Sequence, residues 1–153
     1  MTHSKSPISL NRSAFSATTH CLTGCAIGEV LGMVIGTAIG LSNIATIILA
    51  VVLAFLFGYG LTLVPLARAG IAFGSALGLA FASDTLSITT MEIVDNAIML
   101  LIPGAMDAGL NTFLFWGSLA ASLLIAGVVA FPVNRWLIAR GKGHALVHQH
   151  HTH

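Results

Sequence analysis

Charge is what this chain has least of. Its 153 residues include six Lys or Arg and five Asp or Glu, 7% of the total, against roughly 25% in an ordinary soluble domain. A soluble domain of this length buries only about 70% of its unfolded surface, and so few charges cannot wet the rest. Disorder is excluded too, because it requires high charge and low hydrophobicity, whereas 56% of these residues are hydrophobic and the mean hydropathy is +0.95. No basic patch is available for nucleic acid. There is no Ser/His/Asp ordering, Walker loop or nucleotide fingerprint, so no enzymatic activity is expected. The two cysteines, Cys21 and Cys25, form neither a C-x-x-C pair nor a haem-attachment signature. A polytopic membrane protein remains.

Membrane helices need about 20 mainly apolar residues, and the apolar runs can be counted on that basis. A polar, basic segment (residues 1–20) precedes a first span at Cys21–Leu41. The run is too long for a signal-peptide core and contains Glu29, so it reads as a retained span. A second span, Asn43 to Leu63, stops near Pro65 and forms a tight hairpin with the first. The last, Phe113 to Val133, is bracketed by Trp116 and Trp136, which lie about 30 Å apart along a helix, one at each interface. Ile71 to Ile102 is ambiguous. As one helix it is about 48 Å long, and Ser83-Asp84-Thr85 in its middle resembles a helix start. A single crossing gives four spans and puts Lys5, Arg12, Arg68, Arg135, Arg140 and Lys142 on one side of the membrane. The excess of positive charge marks that side as cytoplasmic. The expectation is an all-α bundle of four spans across residues 21–134, five being the alternative. The third span is long or broken near Asp84, both termini are cytoplasmic, and residues 135–153 form a basic, His-rich tail.

Glycines recur every fourth residue at Gly24, Gly28, Gly32, Gly36 and Gly40, and again at Gly70, Gly74 and Gly78. Small residues at this spacing let helix backbones approach closely in lipid. The expected role is packing.

Beside the first glycine stripe runs a row of a different kind, Cys21, Cys25, Glu29 and Met33, with His20 at its head. Residues four apart share a helix face. Thiol, thioether and imidazole together favour soft metals, above all Cu(I), although buried free Cys is also an ordinary small apolar filler. The third span carries Met91, Asp95 and Met99 in one row, Glu92 and Asn96 beside them, and Asp84 further back. These carboxyl groups have no basic residue at membrane depth, where a charge costs about 3 kcal/mol on insertion scales. Protonated carboxyls, a bound cation or a water-filled cavity are the three resolutions. The five histidines of the tail, His144 to His153, fit loose metal binding or simple solvation equally well.

The run from His20 through Cys25 into a glycine-rich span, the later Ser83–Ile88 segment, Met91–Asn96 and the closing Arg-rich end resemble a family of small prokaryotic membrane proteins, domain of unknown function 4396. The resemblance implies a compact polytopic inner-membrane protein and no particular activity.

Three functions compete. The first binds and translocates a soft metal ion, most readily Cu(I), through His20, Cys21, Cys25, Met33, Met91 and Met99. Glu29, Asp84, Glu92, Asp95 and Asn96 then line an ion or proton path, and glycine contact joins the first and third spans. The second is a proton- or cation-coupled permease or channel without a transition metal. The third is an accessory subunit whose stripes build a homo-oligomer or dock other membrane proteins. The only cofactor suggested is the soft metal. The lipid bilayer is the common partner, and nucleic acid is not one.

Overall fold

The computed structural model describes residues 7–140, which form four helices: α1 (Pro7–Ala38), α2 (Asn43–Arg68), α3 (Phe73–Leu101) and α4 (Phe113–Ala139). Each is long and apolar enough to cross a membrane, and no strand occurs among the described residues. Lys5, Lys142 and the His-rich run at 143–153 lie outside them.

The α1–α2 and α2–α3 turns are built alike. Gly40 ends α1 at φ +71° and Gly70 ends α2 at φ +79°. The following residue then donates its N–H five residues back, Leu41 to Gly36 O at 2.9 Å and Ile71 to Leu66 O at 3.1 Å. This is the Schellman ending, in which the left-handed residue is usually glycine. Gly40 and Gly70 therefore serve turns, not helix packing. Ser42 then caps α2 through the Ala45 N–H, and Thr112 caps α4 through Phe115 N–H, each at 3.3 Å.

Several helix ends differ from the sequence expectation. α1 starts at Pro7 rather than Cys21, because its first half has a partner. Ala14 and Ala17 pack with Ile138 of α4, Asn134 Nδ2 donates to Thr18 Oγ1 at 3.0 Å, and Arg135 Nε donates to Asn11 Oδ1 at 2.7 Å. α2 continues through Pro65 and α4 through Pro132 to Ala139. A proline removes one i→i−4 bond, and membrane helices tolerate that loss. α3 is continuous through Asp84. It neither breaks nor restarts there, because the Asp84 carboxyl is engaged by side chains of α2 and α3 rather than by free backbone N–H groups.

The bundle is polar inside and apolar outside. α2 turns Ile44, Ile48, Val52 and Leu56 outward and buries Thr46, Ala50, Ala54, Gly58 and Thr62. Its inner row meets the glycine stripe of α1. A Cβ on Gly24 would stand 2.6 Å from Gly58 Cα, one on Gly28 would collide with Ala54, and one on Gly36 would stand 2.5 Å from Thr46 Oγ1. The paired residue numbers have a constant sum, the mark of an antiparallel register. The expectation that glycines join α1 to α3 is thus corrected. They join α1 to α2, while a Cβ on Gly74 or Gly78 would meet nothing within 4 Å.

α1 packs on all three other helices, and the alternation of direction makes it parallel to α3. One end of the bundle gathers Arg12, Arg68, Arg135 and Arg140, the last stacked 4.6 Å over the Trp136 ring. At the other end Asp107 accepts from Asn43 at 3.3 Å.

Candidate functional site

The two chemistry-bearing rows face each other along the parallel α1–α3 seam. Their register shifts by one helical turn between the first rung and the later ones. Cys21 Sγ lies 3.9 Å from Asp84 Oδ1, an offset of 63, and Asn96 Nδ2 donates to Glu29 Oε1 at 3.0 Å, an offset of 67. Between these two rungs Cys25 lies beside the Glu92 carboxyl. Beyond them Met33 and Met99 share a buried cluster with Phe115 and Leu119. A period of four on both helices lets one rung follow another by a turn, about 6 Å of rise.

At the rung nearest the basic end, Asp84 is fully buried. Its Oδ2 accepts from Thr62 Oγ1 of α2 at 2.5 Å, and its Oδ1 accepts from Ser83 Oγ at 2.8 Å. Thr62 in turn contacts His20 Nε2 at 3.0 Å. His20 heads the glycine stripe of α1 and extends the α1–α2 register by one more step. Ser87, one turn along α3, lies beside Cys21.

The middle and far rungs hold three buried carboxyls, Glu29, Glu92 and Asp95, each at most 5% exposed. Asp95 Oδ1 accepts from Ser122 Oγ of α4 at 2.5 Å. Asn96 Nδ2 also reaches Glu92 O at 2.9 Å, which holds its amide against Glu29. The Glu29 and Asp95 carboxyls adjoin each other. Glu29 Oε2, both Glu92 oxygens and Asp95 Oδ2 meet no hydroxyl or amide donor; their polar neighbours are the Cys25 thiol, beside Glu92, and each other's carboxyls. Two ionised carboxylates make no hydrogen bond, whereas a carboxylic acid donates to a neighbouring carboxylate. A single proton shared by Glu29 and Asp95 would supply a donor to that pair.

The sulfur atoms lie on the same seam. Cys21, Cys25 and Met91 belong to one buried cluster with Ile88 and Ala126, and Met33 and Met99 to the next. Both cysteines are free. Among the described residues no three or more His, Cys, Asp or Glu side chains group as a metal site.

Sequence reasoning missed the hydroxyls and amides that complete the row: Thr62, Ser83 and Ser122, with Asn134 and Thr18 behind them. Thr62 had a usable signal. It continues the four-residue run Thr46, Ala50, Ala54, Gly58 in a helix otherwise made of large apolar residues.

A family model described as "Domain of unknown function (DUF4396)" matches residues 10–143, and the chain belongs to this family. No curated protein and no solved structure matches the chain.

Proposed function

We infer that this DUF4396 member is a proton-carrying membrane protein, a proton-coupled permease or channel whose path is the α1–α3 seam. The observation that carries the reading is the cluster of three buried carboxyls, Glu29, Glu92 and Asp95, which adjoin one another with no basic side chain beside them among the described residues. Three buried carboxyls on two adjacent turns match a proton relay, a recurring use of intramembrane acids. Asp84, Ser87, Asn96 and Ser122 extend the polar lining toward α2 and α4. The clustering of Arg12, Arg68, Arg135 and Arg140 at one end supports an inner-membrane protein with that end, and both termini, in the cytoplasm.

The test is proton flux into vesicles holding the purified protein and a pH-sensitive dye, driven by a potassium gradient with valinomycin. Flux is expected from the wild type and from Cys21→Ser/Cys25→Ser, and its loss in Asp95→Asn and in Glu92→Gln. Wild-type flux preserved in both carboxyl variants overturns the reading.

A second reading, soft-metal binding and translocation with Cu(I) as the ion, is favoured by the burial of Cys21, Cys25, Met33, Met91 and Met99 along one seam. Thiolate and thioether are the ligands that select Cu(I). It requires near-stoichiometric copper by elemental analysis of protein loaded under reducing conditions, absent from Cys21→Ser/Cys25→Ser. Background copper in both proteins eliminates it.

A further inference from the structure

We propose that His20 is the proton entrance of this row, loading it from the basic end of the bundle and passing protons through Thr62 to Asp84; the inference rests on the proton-carrying reading above. Three observations converge on it. The first is geometric. A hydroxyl has one proton, and Thr62 donates its proton to Asp84 Oδ2 at 2.5 Å. Its contact with His20 Nε2 at 3.0 Å therefore has Nε2–H as the donor and Thr62 Oγ1 as the acceptor. Imidazole, hydroxyl and carboxyl stand in series with donors and acceptors aligned in one direction.

The second is access. His20 is half-buried and borders a shallow groove on the exposed face of α1 that Arg12, Phe15, Ser16, Thr19 and Thr23, all of that helix, line. The groove follows α1 from the middle of the bundle toward the basic end, over about 16 Å of helix. The third is the opposite end of the row. Past Glu29 and Asn96 the next rung is Met33 against Met99, buried with Phe115, Leu119 and Ala105. That apolar layer leaves His20 as the accessible end of the polar row, and a proton leaves on the far side only when the layer of Met33 and Met99 parts.

The transfer balances. A proton arriving from the basic side is taken up at the ring's second nitrogen, Nδ1. The Nε2 proton moves to Thr62 Oγ1 as the hydroxyl's own proton moves to Asp84 Oδ2. His20 is left neutral as the Nδ1–H tautomer, and ring reorientation or proton exchange restores the starting form. Histidine suits the position because its imidazole can take up a proton at one ring nitrogen while it gives one up from the other. The charged and titratable groups around this step are Arg12 in the groove on α1, Asp84 on α3 and Cys21 on α1 behind it, while α2 contributes the neutral Thr62.

The test uses the same vesicles with wild type, His20→Ala, His20→Gln, Thr62→Val and Asp95→Asn, each checked for an unchanged helical melt. Glutamine can keep a donor to Thr62 but carries no titrating nitrogen. Both His20 variants and Thr62→Val are expected to lower the initial flux about tenfold or more. Imidazole added to the medium, for which the emptied side-chain space and groove give room, is expected to restore His20→Ala and not Thr62→Val or Asp95→Asn. Wild-type flux in His20→Gln alongside loss in Asp95→Asn overturns the entrance and leaves the proton row standing. A loss in His20→Ala that imidazole does not restore assigns His20 a structural role and also overturns the entrance. No proton flux in the wild type removes the row and the entrance together.

Discussion

Gly32 and Ala50 meet backbone against backbone: a Cβ on Gly32 would stand 2.6 Å from the Ala50 nitrogen. Gly24 and Gly28 meet α2 in the same way, so the α1–α2 hairpin depends on three positions where no side chain fits. A side chain there must push two helices apart, and overpacking of a far milder kind already costs about 1–3 kcal/mol. Gly28→Val and Gly32→Val are therefore expected to lower the thermal midpoint in detergent steeply or to prevent a monodisperse protein. Gly78→Val, on open surface, is the control and is expected to melt with the wild type. Equal melting of all three would refute backbone contact.

The Glu29–Asp95 pair is expected to be visible in the infrared. A proton held between two carboxyls gives a carboxylic-acid C=O band that shifts in heavy water. The difference spectrum between wild type and Glu29→Gln/Asp95→Asn should contain that band. A featureless difference would mean that the pair holds no proton.

The four spans were readable because they depend on apolar run length, which sequence displays directly. Their ends were not. The polar first half of α1 looks like a tail until Thr18 meets Asn134 and Asn11 meets Arg135, contacts between residues more than a hundred positions apart. The two reactive rows were legible as rows, because a period of four fixes one face of a helix. Which neighbour each face meets was not, since rotation about the helix axis leaves the sequence period unchanged. That freedom is why the glycines of α1 were assigned to α3 when they rest on α2. It is also why Ser122 of α4, which meets Asp95, carried no signal.

Asn134 of α4 donates to Thr18 of α1 where both are buried. Interhelical hydrogen bonds in membranes average about 0.6 kcal/mol and reach about 1.7. Asn134→Ala is expected to lose about 1 kcal/mol of stability in a reversible denaturation in mixed micelles. Its proton flux per folded molecule should match the wild type, because Asn134 stands outside the α1–α3 seam. A flux defect would place it in the path.

Cys21 and Cys25 are 2% and 0% exposed, each packed in the cluster that holds Ile88 and Met91. Neither thiol is expected to react with a maleimide in the folded protein, and both should react once sodium dodecyl sulfate unfolds the bundle. Rapid labelling of native protein would show that water reaches the seam from its middle.

The separation of charges between the two ends also bears on how the molecule is made. In the orientation proposed above, with the basic end on the side of synthesis, the segments to be carried across the bilayer are the tight turn after Ala38 and the loop from Ile102 to Thr112. Asp107 is the sole charged side chain in these two connections, and it is met there by the Asn43 amide. Insertion can then proceed hairpin by hairpin, α1 with α2 and α3 with α4, and these two connections bring a single ion to move through hydrocarbon.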